Sequence, residues 1–247
     1  MHLRNLFLLA AAVLLPWNAA FADELSLSVG AFATQSEYKG ADTRVLPMPV
    51  IQYEGNRFFL KNAEAGVYVW SDERQRLSAG LTLLPLYLRT GKCDDQAMKQ
   101  LDNRNIIVLG TLGYELETEY GRLRLTASGD VTGTSDGFLA SAVYAYPLRR
   151  GALTLTPNAG VIFASSDFND YYYGVSHAEA ARSGFSHYDP EASFTPFLGV
   201  AANYRLSDHW SLFATWKITF LSDEVKDSPM VDRDTQHIFG GGITYSF

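Results

Sequence analysis

Cysteine is almost missing from this chain of 247 residues. Cys93 is the only one, so no internal disulfide can form. Long apolar runs are scarce too. Beyond residue 22, no segment offers 18 consecutive apolar side chains, which excludes membrane helices there. Basic charge is in short supply: 20 Lys and Arg stand against 27 Asp and Glu. Such a balance argues against binding nucleic acid or anionic lipid. What remains is a chain that is 47% apolar by composition, yet has a mean hydropathy of only -0.06. A transmembrane β-barrel tolerates that mixture, because half of each strand faces its lumen.

The N-terminus reads as an address. Arg4 supplies the positive charge, Leu6 to Leu15 the apolar run, and Ala20-Phe21-Ala22 an A-x-A cleavage site. This is the pattern of a secretory signal peptide cut after Ala22. A membrane helix is the competing reading, but the run is short and Pro16 interrupts it. No Cys follows the cleavage site, which speaks against a lipoprotein. The expected organisation is a signal peptide over 1–22 and one domain over 23–247. Cleavage leaves about 225 residues, within the range of a single all-β domain. The processed chain carries 19 basic and 27 acidic side chains, a net of -8.

The stretch Gln236 to Phe247 shows the pattern that organises the rest. His237, Phe239, Ile243, Tyr245 and Phe247 share one face of an extended strand; Gly240, Gly242, Thr244 and Ser246 share the other. A closing strand in lipid suits this pattern, since closure removes the free sheet edge. A terminal Phe after alternating apolar residues resembles the recognition signal of bacterial outer-membrane β-barrels.

The same alternation predicts strands over 25–33, 45–53, 57–60, 66–70, 77–87, 106–117, 122–131, 138–146, 153–163, 194–206 and 210–220. With 236–247 this makes about twelve, an even number as single-chain bacterial barrels require. The expected fold is an all-β, transmembrane, antiparallel up-and-down barrel in the outer membrane of a Gram-negative bacterium. Its turns after strands 2, 4, 6, 8 and 10 are short, and its loops after strands 1, 5, 9 and 11 are long. Short periplasmic turns and long outer loops are what such barrels show. The competing fold is a soluble periplasmic barrel or sandwich. Pro47 and Pro49 weaken the second strand, since each removes a ladder donor. Arg122 and Arg124 recur at strand period, so they face a wet lumen, with Leu123 and Leu125 toward lipid. Asp130, Lys217 and Arg205 are further candidate lumen charges. They would form either a paired network filling the interior or the lining of a selective pore.

Local chemistry is sparse. In the long outer segment 165–191, Ser176 and His177 are adjacent, with Asp170 and Glu179 nearby, the residue types of a hydrolase. Neighbours in sequence rarely aim at one point, and no nucleophile elbow is present. The better reading is a short helical lid over 175–182, with Ser176 as N-cap and Glu179 completing a capping box. Tyr171, Tyr172 and Tyr173 then sit at the membrane interface or pack under that lid. The acidic segment Leu221 to Arg233 offers oxygen ligands for Ca²⁺, but its spacing matches no EF-hand, and a solvated acidic loop is the default. His187, His209 and His237 lie on separate segments, so no metal site follows. No catalytic, cofactor-binding or metal residue is assigned, and no cofactor is expected.

Several stretches carry a resemblance: Tyr53-Glu54-Gly55, Leu101-Asp102-Asn103-Arg104, Gly129-Asp130, Asp170 to Gly184, Leu221 to Arg233, and the ending Gly242 to Phe247. On these the chain resembles the MipA/OmpV family, the MltA-interacting outer-membrane proteins. The resemblance implies an outer-membrane barrel that is not an enzyme. It implies a scaffold joining a membrane-bound lytic transglycosylase to a bifunctional penicillin-binding protein in murein enlargement. Outer-membrane lipid and the barrel-assembly machinery are the remaining expected partners. A narrow channel through a charged lumen and an adhesin acting through the long outer loops are the alternatives.

Overall fold

The computed structural model describes residues 24–247, so the expected signal peptide lies outside the described residues. The strands are β1 (Glu24–Thr34), β2 (Arg44–Glu54), β3 (Phe58–Lys61), β4 (Glu64–Ser71), β5 (Gln75–Leu84), β6 (Ile107–Thr118), β7 (Gly121–Asp130), β8 (Phe138–Ala145), β9 (Leu148–Arg150), β10 (Leu153–Ala164), β11 (Ser193–Arg205), β12 (Trp210–Phe220) and β13 (Thr235–Ser246). Each pairs antiparallel with its neighbours in one closed sheet. β9 continues β8 past a break at Tyr146-Pro147, and both lie against β10. The barrel therefore has twelve staves, as the alternation predicts. β1 and β13 close it, from Ser26↔Ser246 to Thr34↔Ile238.

Strand periodicity sorts side chains to two faces. Leu81, Leu112, Leu125, Leu198 and Leu212 point outward and are exposed, the lipid-facing set. Aromatic side chains lie at both ends of that band, where amphipathic rings favour the interface. Trp70, Tyr120, Tyr144, Tyr204 and Trp210 mark the end that carries the short turns; Phe138, Phe163 and Phe194 pack as tilted rings at the other. By loop length the short-turn end is periplasmic.

The lumen is divided. On the β1, β2, β12 and β13 side, Phe32, Met48, Val50 and Phe213 fill it as an apolar plug, with Phe32 and Phe213 stacked at 6.1 Å. Inward glycines make the room. A Cβ on Gly30 would meet the Phe213 ring at 2.8 Å, and one on Gly240 would collide with the Phe32 ring. The glycine face of the last strand is thus a recess shaped for two phenylalanines.

β5 ends at Leu84 rather than at Tyr87. Pro85 has no N–H to continue the ladder, and the chain leaves for the outer loop. β2 differs from every other stave. All of Arg44–Glu54 pairs with β1, but only Tyr53 and Glu54 pair with β3. The hairpin of β3 and β4 turns back at Asn62-Ala63, so the outer part of β2 has one unpaired edge. A proline cannot donate, so Pro47↔Ala31 and Pro49↔Val29 are the pairs without hydrogen bonds, and both ring nitrogens point to that free edge. The prolines therefore spare the β1 ladder and remove two donors where no neighbour waits.

Candidate functional site

The long outer loops fold over the barrel mouth around a hydrophobic core of their own. Segments 35–43, 85–106, 165–192 and 221–234 contribute Tyr38, Leu88, Met98, Tyr172, Val175 and Met230, all buried, and Ile107 and Leu109 of β6 form the floor. Cys93 is buried in the same core, where burial pushes its thiol up. This cap seals the outer end.

Two helices position its polar centre. Helix α1 (Ser166–Tyr173) starts at Ser165, whose Oγ accepts from the Phe168 N–H at 3.3 Å. Helix α2 (His177–Ser183) starts at Ser176 with a complete capping box and stops at Gly184, in the left-handed region at φ +80°. The lid foreseen over 175–182 is this helix, and the tyrosines pack beneath it: Tyr172 is fully buried and Tyr173 nearly so. The Tyr38 hydroxyl donates to the Tyr172 carbonyl at 3.1 Å, and the Tyr172 hydroxyl to the Asn105 carbonyl at 2.9 Å.

The Glu179 carboxylate serves two segments. It accepts from the Ser176 N–H at 3.0 Å, as the capping box requires. It also accepts from the Asp102 N–H at 2.9 Å and Arg104 Nη1 at 3.0 Å. Arg104 Nη2 donates onward to the Gly174 carbonyl at 3.0 Å. The two side chains are 4% and 9% exposed, so this is a buried ion pair. Burial alone would raise the Glu179 carboxyl; Arg104 and the two backbone N–H groups outweigh it and hold it at about 2. Among the described residues, Glu37 has no such cation in contact. Burial raises its carboxyl, against hydrogen bonds from Gln236 at 2.7 Å and the Tyr173 hydroxyl at 3.2 Å.

Below the cap, a cavity of about 280 Å³ occupies the β2-to-β10 side of the lumen and reaches the periplasmic rim at Glu24, Gln52 and Ser246. Apart from Glu24 at the rim, its charges are paired. Glu54 binds Lys61 at 2.7 Å and Arg76 at 2.5 Å, and Arg124 binds both Glu64 and Glu115. Arg122 binds Glu117 at 2.8 Å. A hydroxyl belt, Thr82, Thr111 and Ser128, crosses three staves at 2.9 and 3.0 Å.

The cap joins the stretches Leu101 to Arg104, Asp170 to Gly184 and Leu221 to Arg233 into one unit, and the family model described as "MltA-interacting protein MipA" matches residues 27–247. The chain belongs to this family. It is 40% identical to the MltA-interacting protein of Escherichia coli (strain K12), over 98% of this chain and 99% of that one. It is equally similar to the MltA-interacting protein of Shigella flexneri, with the same coverage. To the outer membrane protein OmpV of Vibrio cholerae it is 24% identical, over 89% of this chain and 85% of that one. This member of the MipA family is an outer-membrane β-barrel.

The residues weighed as candidates in the sequence have distinct fates within the MipA barrel. Ser176 Oγ bonds Glu179 at 2.9 Å, while the His177 ring stacks on His187 at 3.9 Å; no hydrogen bond joins Ser176 to His177. Asp170 stands in α1, and burial raises its carboxyl. His209 bonds the Ser246 carbonyl at the inner rim, and His237 stacks with Trp216 and Phe239, so His187, His209 and His237 stay apart from one another. In the segment Leu221 to Arg233, Asp223 pairs with Lys226 at 2.7 Å and Glu224 accepts from the Glu191 N–H at 2.8 Å. Arg122, Arg124 and Lys217 do face the lumen, where Lys217 lies 5.2 Å over the Phe197 ring. Two assignments are corrected. Arg205 is exposed at the periplasmic end of β11, past the enclosed part of the lumen. Asp130 anchors its own outer loop, accepting from the Thr132, Thr134 and Ser135 N–H groups. Sequence reasoning missed Glu115 and Glu117. A signal existed: across the turn at Tyr120-Gly121 they fall opposite Arg124 and Arg122.

Proposed function

We propose that this protein is a non-catalytic scaffold of the outer membrane. It binds a membrane-bound lytic transglycosylase at its periplasmic end and links it to a bifunctional penicillin-binding protein in peptidoglycan enlargement. The observation that carries this reading is its similarity, along 98% of its length, to proteins named for interacting with MltA. The architecture agrees. The outer mouth is covered by a packed cap, and the plug around Phe32 and Phe213 fills part of the lumen. An open channel fits that arrangement poorly, whereas a binding protein needs only its inner rim. That rim carries an exposed basic pair, Arg149 and Arg150.

The test immobilises the purified protein in detergent and measures capture of a purified membrane-bound lytic transglycosylase. Saturable capture that weakens at least tenfold in the Arg149→Glu/Arg150→Glu double variant is expected. Absence of capture by the wild-type protein overturns the scaffold reading. Murein sacculi incubated with the protein alone remain intact on this reading; turnover that disappears in Ser176→Ala and His177→Ala restores a hydrolase.

A further inference from the structure

The unpaired edge of β2 frames a window in the barrel wall. Its near side is the edge of β2 away from β1, which has no ladder partner from Val45 to Gln52. Its sill is the tip of the β3–β4 hairpin, where Gln52 Nε2 donates to Asn62 Oδ1 at 3.2 Å. Its far side is the end of β5, held to the tip by the Leu83 N–H donating to the Ala63 carbonyl at 2.8 Å. Its lintel is the contact of the Arg44 guanidinium with the Tyr87 ring, 4.5 Å from its centroid. Val45 and Ile51 are exposed on the lipid side of this frame, so the window lies within the apolar band. An open sheet edge in hydrocarbon is tolerated only where it lines a cavity or is buried.

A cavity meets it at the sill and the far side, beside the plug that Met48 and Val50 form behind the near side. Gln52, Asn62 and Leu84, all on the frame, also line the lumen cavity of about 280 Å³. Beyond them its wall is apolar on one side, with Leu109, Leu139, Val143 and Ile162. Two buried acceptors that line the same cavity have no hydrogen-bond partner among the described residues, Glu64 Oε1 and Asn158 Oδ1. Glu64 is 7% exposed. Orphaned buried acceptors cost free energy until a donor reaches them. Inside the rim residue Glu24, the wall's cations and carboxylates already pair with one another, which favours a neutral head over an ionic one. The volume falls just below the usual range of small-molecule sites, about 300–1,000 Å³, and suits one chain rather than two.

We propose that the barrel admits a single-chain, hydroxyl-headed neutral amphiphile from the outer leaflet through the window between β2 and β5. The tail packs along Leu109, Leu139, Val143 and Ile162, and the head donates to Glu64 Oε1 and Asn158 Oδ1. This reading is independent of the scaffold role, since it uses the window and side chains inside the lumen and not the exposed Arg149-Arg150 pair of the inner rim.

The experiment reconstitutes the full protein in phospholipid vesicles with a monoacylglycerol carrying a photoreactive diazirine near the chain end. Crosslinked peptides are mapped by mass spectrometry. Labelling of β6 and β8 at inward positions, Leu109, Leu139 or Val143, is expected. Ala201→Trp, which fills the cavity from β11, reduces that labelling at least fivefold, and heat-modifiable mobility verifies that the variant is folded. Asn158→Leu keeps the space and removes one acceptor, so labelling falls again, by at least threefold. The matching fatty acid, with its ionised head, competes at least fivefold less well than unlabelled monoacylglycerol. Labelling confined to outward side chains such as Leu112 and Leu125 overturns the proposal. Equal labelling in the folded variants does so too, as does displacement of the probe by the soluble disaccharide of N-acetylglucosamine, which would mark a periplasmic sugar site instead.

Discussion

Replacing Glu179 with Gln tests whether the cap is held by its buried ion pair. The substitution keeps the side-chain volume, but the amide has one carbonyl oxygen where the carboxylate had two. That oxygen serves either the Ser176 N–H or the Asp102 and Arg104 donors, and the amide NH₂ then faces the other donors. Arg104 stays buried without its counter-charge. Breaking such a pair costs about 3–5 kcal/mol. The pH linkage gives the same scale. A carboxyl held at about 2, against an ordinary 4.5, corresponds to about 3 kcal/mol at about 1.4 kcal/mol per unit. Because the pair lies in the loops, the loss should appear as local opening and not as barrel unfolding. Hydrogen exchange at the Asp102, Val175 and Tyr188 amides should therefore accelerate about 100-fold, while β1–β13 pairing and heat-modifiable mobility persist. A folded carboxyl below its unfolded value loses protons more readily in the native cap. Its stabilisation is therefore complete above about pH 4.5 and is lost as pH falls toward 2. Glu37 titrates in the opposite sense, so the diagnostic quantity is the difference between wild type and Glu179→Gln, which should shrink over that range. Exchange within threefold of wild type at neutral pH would refute the reasoning. So would a difference that ignores pH.

Three further outcomes are expected. Leu125→Arg should destabilise the barrel by about 2–4 kcal/mol in a folding titration, and Thr126→Arg far less, because Leu125 faces hydrocarbon and Thr126 lines the cavity; equal losses would mean the register is wrong. Gly240→Val should lower stability by about 1–3 kcal/mol through collision with the Phe32 ring. Phe32→Ala should recover part of that loss, and strict additivity of the two would exclude the contact as its cause. Deleting Phe247, whose N–H donates to the Leu25 carbonyl at 3.0 Å, should reduce outer-membrane yield and heat-modifiable protein; unchanged yield would count against a role for the terminal aromatic in assembly.

The staves were legible because a strand's side-chain period is local. Leu123 and Leu125 alternate with Arg122 and Arg124, and no distant residue is needed to read which set meets lipid. The capping box at Ser176 and Glu179 was legible for the same reason, since its partners are three residues apart. Strand count followed from turns at the short connections. The cap was not legible. Arg104 and Glu179 are 75 positions apart, and only the closed ring of staves brings their loops over one mouth. Nor does any local rule show that Pro47 and Pro49 mark a free edge rather than a weak strand, because that depends on how far the β3–β4 hairpin climbs. The amino-acid sequence by itself determined the class of fold and the face of each strand residue, through alternation and turn chemistry. Tertiary structure alone decided the seal, the cavity and the window, because each is made by groups that become neighbours only when the barrel closes.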